Sequence, residues 1–256
     1  MKRPDRSETL YGIHPVMAAI TAGRRKVDTL FIASGRENRQ SHQQVLQAAE
    51  QHTIPVNELT ARDLEQMTGA KVHQGIVARV SAYSFVPLAD LLAAVPSTDT
   101  PFVLVADGLT DPHNLGALAR TALCAGVHGL VIPKDNAASP TPAAVKASAG
   151  ALEFLPVARE TNIARVLDAL KDAGLWIAGL DGGGEQTIYD SDLTGPLALV
   201  VGDEGRGIRR LVAQKCDFIL SIPQTDRVHS LNASVAGAVA MYEAFRQRRA
   251  KAGPGR

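Results

Sequence analysis

The sequence predicts an α/β protein in two parts, a small α/β unit followed by a larger unit built on a parallel sheet. In the second part, short apolar runs alternate regularly with segments of helical periodicity. Apolar runs without polar alternation are typical of strands covered on both faces, and strands separated by helices predict a parallel sheet. With 256 residues, of which 45% are hydrophobic, the chain can build such a core.

The first part spans about eighty residues, within the usual range for a small domain. Residues 1–8 are polar and are expected to be loose. Periodicity then predicts a strand at 27–33, a helix at 37–52, a strand at 54–56, a helix at 61–68 and a strand at 75–83. Residues 84–100 contain two prolines, so we place the boundary there, with a short helix at 87–94. The predicted division is a domain at 1–84, a linker at 85–100, a second domain at 101–250 and a basic tail at 251–256.

The second part alternates strands and helices throughout. Asn114 and Asn162 precede apolar helical patterns and are expected to cap them. Strands are predicted at 102–106, 129–132, 155–157, 175–180, 197–201 and 218–222. Helices are predicted at 114–125, 142–150, 162–173, 208–215 and 231–248.

Composition excludes few functions by itself. The net charge of +1 favours no polyanionic partner. Both ends of the chain are basic, however, and this local charge fits either solvated termini or weak nucleic-acid contact. Cys124 and Cys216 stand alone in apolar surroundings, which indicates buried thiols and a reducing compartment. No cysteine or histidine group has metal-ligand spacing, and no signal peptide or long apolar segment is visible. We therefore expect a soluble, cytoplasmic protein without a metal or a membrane partner.

The stretch from 197 to 242 contains the strongest candidate site. Residues 202–207 (GDEGRG) follow an apolar strand, and their three glycines permit close backbone approach. Asp203 and Glu204 would repel a phosphate, which argues against a pyrophosphate cradle. Two interpretations stay open from the residues alone. One is a tight strand-to-helix turn with solvated acids, and the other is a site for a ligand without phosphates, such as S-adenosylmethionine.

Other polar positions are ambiguous when taken singly. The loop after the first strand of the second part has neither the G-x-G-x-x-G spacing nor a G-K-[ST] motif. Residues 181–185 (DGGGE) open no obvious helix, which favours a flexible turn over a site. Ser230 and Asn232 stand at the entry of the last helix, where capping and ligand contact are both open. His229 is expected to be solvated, and Tyr242 to pack in the core.

Three ordered motifs make the sequence specific. It resembles the SpoU (TrmH-type) class of RNA ribose 2′-O-methyltransferases, within the SPOUT superfamily. The motifs are the run from Asn114 to Arg120 (NLGALAR), the G-x-E-G-x-G run that starts at Gly202, and Ile222-Pro223 followed by the run from Ser230 to Ala236 (SLNASVA). The runs YGIH at 11–14 and HQGIVARV at 73–80 extend the resemblance to the N-terminal part.

The resemblance implies more than the residues do. It implies an L30e-like RNA-binding domain, a SPOUT domain with a trefoil knot, a homodimer, and S-adenosylmethionine as cofactor, bound at Gly202, Ile222 and Leu231. It further implies methylation of a guanosine in the peptidyl-site loop of 23S rRNA. The alternatives are a tRNA 2′-O-methyltransferase and a non-catalytic rRNA-binding assembly factor. The implied catalytic residues are Arg120, Asn114, Glu204, Ser230 and Asn232.

Arg120 is the implied activator of the ribose hydroxyl. An arginine is a poor general base because its pKa stays above about twelve, so holding the target phosphate is the physically easier role. The choice between base and clamp stays open. RNA contacts in the N-terminal domain are expected from Arg24, Arg25, Lys26 and Arg79. Arg227 and His229 stand where close relatives carry small residues, and are expected at the pocket rim or against RNA.

Overall fold

The computed structural model describes residues 7–35, 42–225 and 230–252. In chain order its first elements are β1 (Glu8–Tyr11), α1 (Ile13–Ala22), β2 (Val27–Ala33), α2 (Gln43–Gln51), β3 (Val56–Leu59), α3 (Ala61–Thr68), β4 (Ile76–Val80), α4 (Leu88–Ala93), β5 (Phe102–Asp107) and α5 (Pro112–Cys124). Then follow β6 (Gly129–Pro133), α6 (Pro142–Ala147), α7 (Ala151–Phe154), β7 (Val157–Glu160), α8 (Ile163–Asp172), β8 (Trp176–Leu180), β9 (Gln186–Thr187), β10 (Leu197–Gly202), α9 (Arg210–Ala213), β11 (Phe218–Ser221) and α10 (Ala233–Ala252).

Contacts within the chain divide it into two compact units. Unit 1 comprises Met1–Ser84 and Pro140–Phe154, and unit 2 comprises Phe85–Ser139 and Leu155–Arg256. Helices α6 and α7 therefore pack with the N-terminal unit although they lie in the middle of the second part of the sequence. Local periodicity carries no information about such a long-range assignment.

Unit 1 contains a four-stranded sheet in the order β1-β4-β2-β3. The predicted strand at 27–33 and helix at 61–68 are confirmed residue by residue. Helix α3 starts at 61 because Thr60 and Asp63 form a capping box, in which the Thr60 Oγ1 accepts from the Asp63 backbone N–H at 3.2 Å. The sequence analysis predicted neither β1 nor α1.

The RNA-contact prediction for Arg25 is wrong. Its guanidinium is buried in unit 1, where it donates to Glu153 at 3.1 Å, to Glu8 at 2.6 Å and to the Ser81 carbonyl. A cation in such surroundings is occupied by its own chain. Lys26 is exposed and pairs with Asp28, and Arg79 is exposed, with its guanidinium 5.7 Å from the centre of the Phe31 ring.

Unit 2 confirms the predicted parallel sheet. Its seven strands lie in the order β7-β6-β5-β10-β8-β11-β9, and every neighbouring pair is parallel. One face of the sheet packs against α4, α8 and α9 through a cluster that includes Val105, Val200 and Leu167. Helix α10 packs against α5 and β10. The trefoil knot implied by the resemblance stays a prediction.

Two helix starts in unit 2 test the capping predictions. Asn162 caps α8, since its Oδ1 accepts from the Arg165 N–H at 3.1 Å. The prediction for Asn114 is wrong, because Asp111 caps α5 by accepting from the His113 N–H at 2.8 Å. Pro112 fixes this start, since proline is favoured at the first helical position. The Asn114 side chain is therefore free for another contact.

A half-buried arginine fastens the C-terminal part of α10 to the neighbouring chain segments. The Arg248 guanidinium donates to the carbonyls of Leu193, Thr100 and Gly195, and it lies 4.5 Å from the centre of the Phe102 ring. Burial lowers the pKa of Arg248 to about 10, so the group stays charged at neutral pH. These bonds fix the position of the helix that begins at the candidate site.

Three smaller expectations are corrected. Tyr242 is 49% exposed and not part of the core, and Cys124 is also exposed. Cys216 is half-buried, and burial raises the pKa of its thiol to about 12.

Within the described ranges, no helix is both long and apolar enough to cross a membrane.

Candidate active site

A pocket lies where β8, β10 and β11 end. The segments that follow these strands are adjacent because the strands are parallel neighbours, so all three contribute to one wall. The described lining encloses about 120 Å³, and the segment between Gln224 and Ser230 includes residues outside the described ranges. Five predicted site residues line this pocket: Gly202, Glu204, Ile222, Ser230 and Leu231.

The loop after β10 is held in a tight shape. Asp203 and Gly207 exchange two backbone hydrogen bonds, at 3.1 and 2.8 Å. A Cβ atom on Gly202 would lie 2.2 Å from the carbonyl carbon of Gly207, so only glycine fits at this position. Gly207 itself has a positive φ of 63°. The interpretation as a tight turn is therefore confirmed, and the loop also forms a wall of the pocket. That this loop binds a ligand stays a prediction.

Glu204 is the centre of a side-chain network beside the pocket. Its Oε1 accepts from the Asn114 carboxamide at 2.6 Å and also from the Asn232 carboxamide. Asn232 donates in addition to the Asn114 Oδ1 at 3.0 Å. These three residues come from α5, from the loop after β10 and from the start of α10. The fold thus brings together three predicted residues that are up to 118 positions apart in the chain.

Asn232 has two separate tasks. Its Oδ1 accepts from the backbone N–H groups of Ser234 at 2.9 Å and Val235 at 3.2 Å, which caps α10. Its amide nitrogen is left to donate to Glu204 and Asn114. The capping role that the sequence left open for Asn232 is therefore confirmed, and its contact with a ligand stays a prediction.

Arg120 is the predicted site residue that the structure does not bring into this group. It is exposed on α5, six residues after Asn114, and a helix turns through almost two turns over that distance. It is absent from the described lining of the pocket. Leu123 is 39% exposed and lies three positions further along, on the neighbouring part of the same helix face.

The sequence analysis missed one wall of the pocket. The loop after β8, interpreted as a flexible turn, contributes Asp181 and Gly182 to the lining. Its signal was positional, since it follows a strand of a parallel sheet and ligands bind at the carboxyl ends of such strands. Arg227 and His229, expected at the rim, lie outside the described residues.

The electrostatics of the pocket favour a cationic ligand. The lining contains three carboxylates, from Asp181, Asp203 and Glu204, and no lysine, arginine or histidine among the described residues. Gln224 and Ser230 add neutral polar side chains, and the rest of the lining is apolar side chains and glycine backbone. An anion would be repelled here, whereas an apolar ring with a positive group nearby would be accepted. The part of the chain that the structure describes contains no group of three or more potential metal ligands.

Comparison with known proteins agrees with this geometry. The model of the SpoU rRNA methylase family matches residues 101–242. The chain belongs to this family. A second model, described as an RNA 2′-O ribose methyltransferase substrate-binding domain, matches residues 9–86. The two matches together span the described parts of both units apart from their ends.

Whole-length relatives exist among characterised proteins. The chain is 43% identical over 245 residues to the 23S rRNA (guanosine-2′-O-)-methyltransferase RlmB of Photorhabdus laumondii, covering 94% of this chain and 99% of the relative. It superposes on the SpoU methyltransferase AviRb of Streptomyces viridochromogenes, in complex with AdoMet, with a TM-score of 0.78, 29% identity and coverage of 95% and 91%. The fold class expected from the sequence is thereby confirmed.

A shorter structure matches only part of the chain. It was described in work on the 2-OH methylation of C/U34 on tRNA, and it superposes with a TM-score of 0.53 and 29% identity. The match covers 96% of that chain but only 58% of this one. The remainder of the present chain therefore has no counterpart in that protein.

Proposed function

We propose that this protein transfers a methyl group from S-adenosylmethionine to a ribose 2′-hydroxyl of 23S rRNA, on a guanosine of the peptidyl-site loop. One observation carries the proposal: an acidic pocket with apolar walls lies beside the Asn114–Glu204–Asn232 network at the carboxyl end of the sheet. The match to relatives named as 23S rRNA guanosine methyltransferases supports the substrate. An rRNA substrate also implies action in the cytoplasm.

The lining residues fit this cofactor. Apolar side chains from Ile222 and Leu231 suit the faces of an adenine ring, and Gly202 leaves its backbone accessible. Carboxylates of Asp181 and Asp203 suit the positive charges of the sulfonium and the amino group. When bound, the cofactor supplies an electrophilic methyl group.

The protein's own residues orient the nucleophile. A ribose hydroxyl is a weak nucleophile at neutral pH, so it needs proton removal or polarisation. The Glu204 carboxylate is held by two amides, and its Oε2 forms no hydrogen bond with the described residues, so this oxygen can accept the hydroxyl proton. We assign Ser230 and Asn114 to positioning of the target ribose. Holding the two reacting atoms in line contributes much of the rate gain.

Arg120 is proposed as the catalytic arginine, acting on the phosphate of the target nucleotide. Its guanidinium offers paired donors that match a phosphodiester. Among the described residues it contacts neither the pocket nor the Glu204 network. We therefore infer that the arginine of one subunit completes the pocket of the other, in a homodimer.

Exposed apolar side chains support the homodimer. Leu123 lies beside Arg120 on α5, and Val235 and Tyr242 lie seven residues apart on α10, which places them on one stripe of that helix. The two helices pack against each other, so these side chains lie on neighbouring elements. Contiguous exposed apolar residues are typical of an interface. An isologous contact through this surface would bring Arg120 to the partner subunit.

RNA contacts in unit 1 are proposed for Arg24, Lys26 and Arg79. The side chains of Lys26 and Arg79 are exposed, and that of Arg24 is partly exposed. Phosphate contacts by such residues would make binding dependent on salt concentration. Arg25 is excluded from this set because its charge is buried and paired.

Two alternatives remain as outcomes of a test. The partial match to a protein described in work on tRNA supports a tRNA substrate. That match covers 58% of the present chain, however, and leaves the other 42% unmatched. A non-catalytic assembly factor would need no intact site. The Asn114–Glu204–Asn232 network is intact, which disfavours that reading.

A transfer assay separates the three possibilities. The protein is incubated with S-adenosylmethionine labelled in the methyl group and with either 23S rRNA or bulk tRNA, and the modified nucleotide is mapped. We expect label on a 2′-oxygen of a 23S rRNA guanosine. Label in tRNA alone would replace the substrate assignment. Absence of label from both RNAs, with no cofactor binding by calorimetry, would overturn the enzyme proposal.

A further inference from the structure

A second cavity lies beside the cofactor pocket in unit 2. It has a volume of about 480 Å³ and is lined by residues that follow β5, β6 and β10. Asp203 and Gly207 line both cavities, so the loop after β10 is a shared wall. We refer to this second cavity as the flanking cleft. Five of the residues that line it carry polar side chains that bear on its ligand: Asp107, Thr110, Asn136, Arg206 and Arg209.

Arg209 is fixed in the flanking cleft by a buried carboxylate. Its Nε donates to the Asp107 Oδ1 at 2.8 Å, its Nη2 donates to the same oxygen, and its backbone N–H donates to Oδ2 at 2.9 Å. Asp107 is fully buried, so this ion pair cannot be broken without leaving a charge unsatisfied. The Arg209 side chain is nevertheless 54% exposed. Its guanidinium is therefore both oriented and accessible.

Arg206 supplies a second guanidinium. It lies at the exposed tip of the loop after β10 and forms no ion pair with another described residue. The hydroxyl of Thr110 and the carboxamide of Asn136 add neutral polar groups. The Asn136 backbone has a positive φ of 54°, a conformation that asparagine tolerates better than most residues.

The charge of the flanking cleft limits which kinds of ligand it can bind. Its two arginines are formally balanced by Asp107 and Asp203. Asp107 is buried behind Arg209, however, and the Asp203 Oδ1 accepts from the Gly205 N–H at 3.1 Å. The surface presented to a ligand is thus rich in donors without a large positive charge. A single phosphodiester with a ribose or base edge fits this description, whereas a polyphosphate would demand more positive charge.

We propose that the flanking cleft binds the nucleotide next to the methylated one in the RNA chain, with Arg206 and Arg209 on its phosphodiester. The inference rests on the proposed RNA methylation and extends it to a second subsite. A cavity of this size matches those that enclose small ligands. Single-stranded RNA loops can present splayed neighbouring nucleotides to adjacent sites, and only one loop separates the cleft from the pocket.

The test uses the full-length protein and a 23S rRNA fragment whose methylated nucleotide has been mapped. Arg206→Ala removes a cleft cation, and Arg210→Ala is the matched control, since it removes an exposed cation four positions further along that does not line the cleft. We expect Arg206→Ala to raise the KM for RNA by about tenfold, the typical effect of losing a hydrogen bond to a charged group. The Kd for S-adenosylmethionine, measured by calorimetry, should stay unchanged, and Arg210→Ala should resemble the unmodified protein.

Modified RNA identifies the contact. The phosphodiesters on the 5′ and 3′ sides of the target are replaced one at a time by uncharged methylphosphonates. One replacement should raise the KM of the unmodified protein at least as much as Arg206→Ala does. Its effect in that variant should be smaller, because the Arg206 contact is already lost and only that of Arg209 remains to be removed. Asn136→Asp, which retains a residue tolerant of positive φ, should also raise the KM by adding a negative charge.

Two results would overturn the inference. The first is equal KM values for Arg206→Ala and Arg210→Ala in a protein that methylates RNA, which would refute the flanking cleft and leave the proposed function standing. The second is an increase in KM from each methylphosphonate that is as large in Arg206→Ala as in the unmodified protein. If the unmodified protein methylates no RNA, the proposed function fails and the cleft assignment fails with it.

Discussion

The Arg25 guanidinium lies 3.1 Å from the Glu153 carboxylate, and both side chains are 1% exposed. The two residues are 128 positions apart, so the ion pair joins α7 to the segment that follows α1 within unit 1. The Glu153 Oε2 has no hydrogen-bond partner among the described residues. Burial raises the pKa of the Glu153 carboxyl, and the neighbouring Arg25 only partly offsets this effect.

Arg25→Ala should destabilise unit 1 strongly. It leaves Glu153 as a buried charge without its cation, which typically lowers the free energy of unfolding by about 3–5 kcal/mol. Urea denaturation followed by circular dichroism measures the change. Arg24→Ala is the control, because among the described residues Arg24 forms a single hydrogen bond, of 3.5 Å to the Phe154 carbonyl. Equal destabilisation by the two variants would contradict the assigned role of Arg25.

The defect of Arg25→Ala should depend on pH. The pKa of Glu153 is higher in the folded state than in the unfolded state, so the carboxyl binds a proton at a higher pH in the folded protein than in the unfolded chain. A neutral carboxyl needs no counter-charge. The difference in unfolding free energy between the unmodified protein and the variant should therefore shrink as the pH falls from 7 through the Glu153 pKa. A difference that grows with acidity would contradict this explanation.

Gly202→Ala should weaken cofactor binding. The added Cβ would lie 2.2 Å from the carbonyl carbon of Gly207, so the loop after β10 must move and the pocket wall moves with it. Gly205→Ala is a matched control in the same loop, because the nearest atom to its Cβ is 3.7 Å away. We expect calorimetry to give at least a tenfold weaker Kd for S-adenosylmethionine in Gly202→Ala, or about 1.4 kcal/mol, and little change in Gly205→Ala. Unchanged binding by Gly202→Ala would show that the loop does not form the cofactor site.

The parallel sheet and most of the pocket could be predicted from the sequence. Buried parallel strands are continuous apolar runs, and five of the six predicted runs coincide with strands to within one residue at either end, namely 102–106, 129–132, 175–180, 197–201 and 218–222. The strand predicted at 155–157 instead spans Val157–Glu160. Loop position then led to residues 202–207, and the resemblance to the SpoU class singled out Gly202 and Glu204 within them. The pocket wall at Asp181 was missed because its run of glycines is equally typical of a solvated turn.

Side-chain partners far apart in the chain could not be predicted. Arg25 stands in a basic run and has the local appearance of a surface residue, and only the fold brings Glu153 to it. The flanking cleft depends in the same way on Asp107 and Arg209, which are 102 positions apart. Asn114 was assigned to a cap because the sequence offers two polar residues near the start of α5, and Pro112 decides between them.

Asn232→Asp should separate helix capping from catalysis. Aspartate caps helices about as well as asparagine, so the free energy of unfolding should change by less than about 1 kcal/mol. The new carboxylate cannot donate to Glu204 and instead repels it. We expect the rate of methyl transfer to fall at least about tenfold, which corresponds to the loss of about 1.4 kcal/mol of interaction free energy. Loss of folding in Asn232→Asp would contradict the proposed division of roles.

Mixed dimers should locate the subunit from which Arg120 acts. Arg120→Ala alone should abolish methyl transfer and leave the Kd for S-adenosylmethionine within a few-fold, because Arg120 does not line the described pocket. Asn232→Asp damages the network of its own subunit. If Arg120 serves the partner's pocket, a mixed dimer of the two variants holds one site with both defects and one site with neither. Subunit exchange at equal concentrations should then restore about a quarter of the unmodified activity, since half of the dimers are mixed. Activity no higher than that of the two parent variants would place Arg120 in the site of its own subunit.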